Sequence, residues 1–207
     1  GLFSAPYAPF YDTPRIYFQL PLAGAALIQY LTGAGPTILY LVLNFIFALF
    51  FFRIAIELYE QVVGLKSGAQ WLGLALFIWG GGVLTLTGLT HELILGHGLK
   101  AAFLNAFKFD PANGWWCLNL GRNTMLPFEN FYHALFLGSI LCLLRERYRG
   151  ALVLAFILSC SHIVSGFQLL AVIVAWAGFE IVVARNPRFP RSVLWTSIGL
   201  IALHLAY

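Results

Sequence analysis

This sequence is short of charge. Of its 207 residues only 10% are Asp, Glu, Lys or Arg, against about 25% in an ordinary soluble domain. So little charge cannot cover the surface of a water-soluble globule of this length. Basic runs interleaved with aromatics are missing as well, which sets a nucleic-acid surface aside. Cysteine is scarce: Cys117, Cys142 and Cys160 stand far apart, without zinc or redox spacing. The odd count leaves at least one thiol free, and space-filling in or near helices is the plainest role for all three. No internal repeat is evident. Met125 is the sole methionine, and the chain opens at Gly1 and closes within an apolar run at Tyr207. A fragment is therefore expected, with no cleavable signal legible in it.

What is abundant is hydrophobe, 60% of the chain. That composition predicts an all-α fold: a polytopic integral membrane bundle of about six or seven apolar helices, forming one membrane domain over residues 1–207. A crossing needs about 20 mostly apolar residues. The clearest candidates are 37–59, 70–89, 128–144 and 167–184, with shorter or interrupted ones at 150–164 and 192–207. Residues 17–33 are apolar but contain Gln19, Pro21, Gly24 and Gln29, so they form either a short span or a helix lying in the interface. Residues 1–16 and 90–127 are then loops on one side, the second carrying an amphipathic helix edged by Lys100 and Lys108.

The net charge of +4 bears on orientation. Arg53 and Lys66, then Arg145, Arg147 and Arg149, then Arg185, Arg188 and Arg191 fall in three short regions separated by even numbers of crossings. They hold eight of the twelve basic residues, which marks their side as cytoplasmic. The opposite side receives His91, His97, His133 and His162, together with Asp12, Arg15, Glu92, Asp110, Arg122, Asn123, Glu129 and Asn130. Any chemistry is expected on that extracytoplasmic rim, although polar loops also simply face water.

Three clusters there carry distinct expectations. In GRNTMLPFENFYH (121–133), Pro127 suits the first turn of a helix. Glu129 and His133 then share one helical face, able to bind a metal, hold a proton or orient a hydroxyl. Arg122 just before the helix start would complete a phosphate seat; the plain alternative is a cap with an interfacial ion pair. In SCSHIVSGFQ (159–168), Ser161, Ser165 and Gln168 form one polar stripe beside His162 if the helix is continuous. They would line a cavity or serve close helix packing. In HELILGHG (91–98), His91 and His97 are six apart, which is not the HExxH spacing and puts them on opposite sides of a helix. No metal site is assigned, but a divalent metal shared with Asp12 or Glu129 stays open. Trp115 and Trp116, in FDPANGWWCLNLG (109–121), fit an interfacial aromatic belt better than a sugar-stacking platform.

The stretch YDTPRIYFQLPLAGAALIQYLTGAGPTILYLVLNFIFALFFFRIAIELY resembles the start of polytopic glycosyltransferases of the GT-C class. LNLGRNTMLPFENFYHALFLGSILCLLRERYRGALVLAFILSCSHIVSGFQLL is similar to bacterial membrane proteins of the same type. The likeness spans about residues 9–184 and is one of architecture and loose patterns. It implies glycosyl transfer from a polyprenyl-phosphate sugar donor, reached from the bilayer of a bacterial plasma (inner) membrane. Asp12 would match the loop carboxylate acting as base on the acceptor hydroxyl. Arg122, with His162, would neutralise the departing lipid phosphate, and Glu129, His133 and Gln168 would complete the substrate site. Asp12 is followed by Thr13, so the paired acidic residues of some branches are absent. Two other classes compete. One is a non-enzymatic subunit of a larger membrane complex, holding pigment or haem through His133 and His162. The other is a transporter, favoured by the short broken helices but lacking visible inverted halves.

Overall fold

The computed structural model describes residues 20–79, 82–106, 126–186 and 189–206. Among them all regular structure is helical: α1 (Leu20–Thr32), α2 (Pro36–Val62), α3 (Gly68–Trp79), α4 (Gly82–Ile94), α5 (Leu99–Ala106), α6 (Pro127–Leu144), α7 (Tyr148–Ser161), α8 (Ile163–Gly178) and α9 (Arg191–Ala206). A single π-helical stretch, Phe179–Val183, prolongs α8. Three of these segments are long and apolar enough to cross a membrane: Pro36–Val62, Pro127–Leu144 and Ile163–Val183. At about 1.5 Å per residue, even the shortest approaches the roughly 30 Å of a hydrocarbon core. Large apolar side chains such as Leu41, Phe45, Phe50, Val182 and Trp195 face outward, as lipid allows and water does not.

Proline begins α2 and α6, where a missing N–H costs nothing because the first-turn amides lack helical partners anyway. Past α2 the chain turns through Gly64, whose φ of +89° an L-side chain would resist. Gln70 closes that turn. Its Oε1 accepts from the backbone N–H of Lys66 at 2.6 Å and of Ser67 at 3.0 Å, and its Nε2 donates to the Val63 carbonyl. α3 then runs back along α2, with Phe77 against Tyr59 and Trp79 against Phe52. The Tyr59 hydroxyl sits directly against Gly73, in the space a Cβ would fill. α3 and the start of α4 cover the span expected over 70–89, and residues 80–81 between them lie outside the described residues.

α6 is the centre of the bundle, packed on α2 to one side and α7 to the other. It runs parallel to α2, because Asn130 meets Asn44, Phe131 meets Phe47 and Arg145 meets Glu57 in the same order along both helices. Small residues let the neighbours close in. Gly138 lies under Leu154 and Ile54, and Gly150 lies against Cys142. Buried Ser139 donates from Oγ to the Ala151 carbonyl at 3.0 Å, tying α6 to α7; such bonds inside a membrane contribute roughly 0.6 kcal/mol. The stripe Ala151, Ala155 and Leu158 on α7 faces Leu169, Leu170, Ile173 and Ala177 on α8, and Val193 of α9 completes this core.

Among the described residues the arginines gather at one end. Glu57 pairs with Arg53 at 3.0 Å and with Arg145 at 2.9 Å, while the Tyr148 ring meets Phe189 at 4.9 Å. The turns after α2, α6 and α8 are thus at the same end of the bundle, as the parity of crossings predicts.

Candidate functional site

The opposite end begins with the first turns of α6. Glu129 stands in the first turn, where a carboxylate complements the helix dipole. His133, one turn on, places Nδ1 2.8 Å from the Glu129 carbonyl oxygen. A carbonyl only accepts, so in the neutral ring Nδ1 carries the proton and Nε2 presents a lone pair. The Glu129 carboxylate itself is 3.7 Å from Nδ1, outside good hydrogen-bond range. Both side chains are partly exposed.

His162 has the opposite polarity. It is the one non-helical residue between α7 and α8, with extended backbone angles of φ −147° and ψ 95°. Its N–H donates to Leu158 at 2.7 Å, ending α7. Its Nδ1 accepts from the Ser165 N–H at 3.2 Å, starting α8. A neutral ring in this state carries its proton on Nε2 and can donate it outward. The Tyr132 ring, buried beneath the rim, packs on His162 with centroids 5.0 Å apart. That contact joins the α6 start to the α7–α8 turn.

The break at His162 changes the expected stripe. Ser161 closes one helix while Ser165 and Gln168 belong to the next, so the i, i+4, i+7 spacing does not describe one face. Ser159 and Ser161 are buried and donate back to Phe156 and Ile157 of their own helix. The close approach falls at Gly166, where a Cβ would overlap Ser159 Cα and lie 2.7 Å from its backbone N. Gln168 is exposed on α8, and no contact described joins it to Glu129, His133 or His162.

The 91–98 cluster also differs from expectation. α4 stops at Ile94 and Gly96, at φ +77°, turns the chain back. The two histidines therefore converge on Glu92 instead of facing apart. His97 Nδ1 is 2.7 Å from Glu92 Oε2, and His91 Nδ1 is 3.6 Å from Oε1. Among the described residues, no group of three or more His, Cys, Asp or Glu side chains is arranged to hold a metal. Asp12 and Arg122 lie outside the described residues, as do Arg15, Asp110, Asn123 and the Trp115–Trp116 pair.

Sequence reasoning passed over Asn44, the amide within the apolar run of α2. Its Oδ1 accepts from Asn130 Nδ2 at 3.1 Å, and Asn130 is fully buried. The signal was available, since a polar side chain at membrane depth usually faces a protein interior.

Comparison with protein-family models, curated proteins and solved structures finds no match for this chain.

Proposed function

We propose that the chain serves glycosyl transfer from a lipid-phosphate-linked sugar at the rim opposite the arginines, on the extracytoplasmic face of a bacterial plasma membrane. The Tyr132–His162 contact supports this reading, because it joins the start of α6, which carries His133, to the α7–α8 turn, which carries His162. His133 Nε2 is a hydrogen-bond acceptor, and His162 Nε2–H, at the start of α8, is a donor. In the reaction, the acceptor hydroxyl loses its proton to Asp12 as its oxygen bonds to the anomeric carbon. The bond from that carbon to the phosphate oxygen breaks, and the electron pair leaves with the lipid phosphate. Arg122 and the His162 Nε2–H stabilise that charge, where a preorganised donor contributes most. Glu129 and His133 orient the sugar hydroxyls.

The test uses the full chain in vesicles with a radiolabelled polyprenyl-phosphate sugar and follows release of polyprenyl phosphate. Transfer that falls at least about 100-fold in Asp12→Ala and in Arg122→Ala is expected. Absence of both transfer and donor binding removes the proposal.

One observation favours a second reading, a haem- or pigment-holding subunit. His133 donates its Nδ1–H to a backbone carbonyl, the arrangement that commonly orients a ligating imidazole. A purified preparation without visible absorbance eliminates it.

A further inference from the structure

The arginine-rich end contains a cavity of about 490 Å³, within the roughly 300–1,000 Å³ range of small-ligand sites. Two helices begin in its wall: Tyr148, Arg149 and Gly150 belong to the first turn of α7, Ser192 and Val193 to that of α9. First-turn N–H groups have no partner within their own helix, and no side chain caps α7. At the α9 start the Val193 N–H is taken by the Pro190 carbonyl at 3.0 Å, which leaves the α7 start as the main source of open donors. Arg147 and Arg149 line the same space. A neighbouring cavity of about 440 Å³ is lined by Arg185 and Arg191. Among the described residues, Arg53 and Arg145 share Glu57, whereas Arg147, Arg149, Arg185 and Arg191 make no ion pair. Glu146 also lines the larger cavity and opposes an anion there. With two arginines against one carboxylate, the formal charge of that lining is +1.

We propose that this cavity seats a phosphate group, supplied by an anionic lipid headgroup or by free phosphate. Paired helix starts with unpaired guanidinium groups supply N–H donors and positive potential together, which is the chemistry a phosphate requires. Its surroundings point to the lipid as the source. Trp195, one turn further along α9, is exposed, as an aromatic anchor at the headgroup level is, and Leu152 supplies apolar wall beside the arginines. The site is independent of the proposed transfer chemistry at the other end.

The test titrates the purified full chain with phosphatidylglycerol, phosphatidylcholine and, separately, inorganic phosphate. Phosphatidylglycerol is expected to bind in preference to phosphatidylcholine. At about fivefold for each basic residue, Arg147→Gln with Arg149→Gln should weaken it about 30-fold. Arg53→Gln with Lys66→Gln removes the same charge from the same end and should change binding less than about twofold, because distant exposed charges are screened. Glu146→Gln should strengthen binding about fivefold. Arginine-dependent binding of inorganic phosphate without any lipid preference upholds the seat and assigns it to free phosphate. Equal loss in both double variants, or loss in neither, overturns the proposal.

Discussion

Asn130 donates an amide hydrogen to Asn44 across the α2–α6 contact, while its own carbonyl oxygen is buried without a hydrogen-bond partner. The two ends of this pair are therefore unequal. Asn130→Ala removes one interhelical bond, worth roughly 0.6 kcal/mol in a membrane, and also removes the unsatisfied carbonyl. Asn44→Ala strands the whole buried amide of Asn130, a penalty of about 1–3 kcal/mol. Unfolding in mixed detergent should rank Asn44→Ala as the more destabilising. The reverse order would mean that Asn130 is not sealed between the helices.

Gly166 supports the second prediction. A methyl group there would overlap the Ser159 backbone, whereas Gly178, on the same helix, has nothing within 4 Å of a built Cβ. Backbone cannot swing aside as a side chain can. Gly166→Ala should lower stability by about 1–3 kcal/mol. Gly178→Ala should be neutral or stabilising by up to about 1 kcal/mol. Unfolding midpoints of the two variants, measured side by side, separate the close approach from any general loss of glycine flexibility.

The helical class and the common end of the arginines were legible because both follow from composition and crossing parity. Pro127 marked the start of α6 for the same local reason that Pro36 marks α2. The break at His162 was not legible: Ser161, Ser165 and Gln168 fit a continuous helix as well as two separate ones, and the Gly166–Ser159 approach exists only once α7 and α8 fold together. The pairing of Asn44 with Asn130 spans 86 positions, and uniformly apolar helices carry no pattern that names their neighbours. His97 reached Glu92 only because Gly96 ended α4 early. The arginines were read for orientation alone, so the cavity between the α7 and α9 starts went unseen.

Sidedness is testable with single cysteines, after Cys117, Cys142 and Cys160 are replaced by alanine. Ser67 lies in the turn after α2 and Ala34 in the turn before it. α2 spans 27 residues between them, about 40 Å. With the basic end cytoplasmic, an impermeant maleimide applied to intact cells should label Ala34→Cys and spare Ser67→Cys until the cells are opened. The opposite pattern inverts the orientation, and labelling of both from outside denies that α2 crosses.

His162 is the residue where structural and chemical roles can be separated. Its Nδ1 caps α8 through Ser165, a contact worth about 1 kcal/mol when lost to alanine. Asparagine is a good cap in the same position but lacks the outward Nε2–H. His162→Ala should therefore lower both the unfolding midpoint and the affinity for polyprenyl phosphate. His162→Asn should recover the midpoint while binding stays more than about tenfold weaker, as loss of a hydrogen bond to a charged group predicts. Recovery of both by asparagine would reduce the imidazole to a helix cap and leave Arg122 as the remaining candidate for the phosphate.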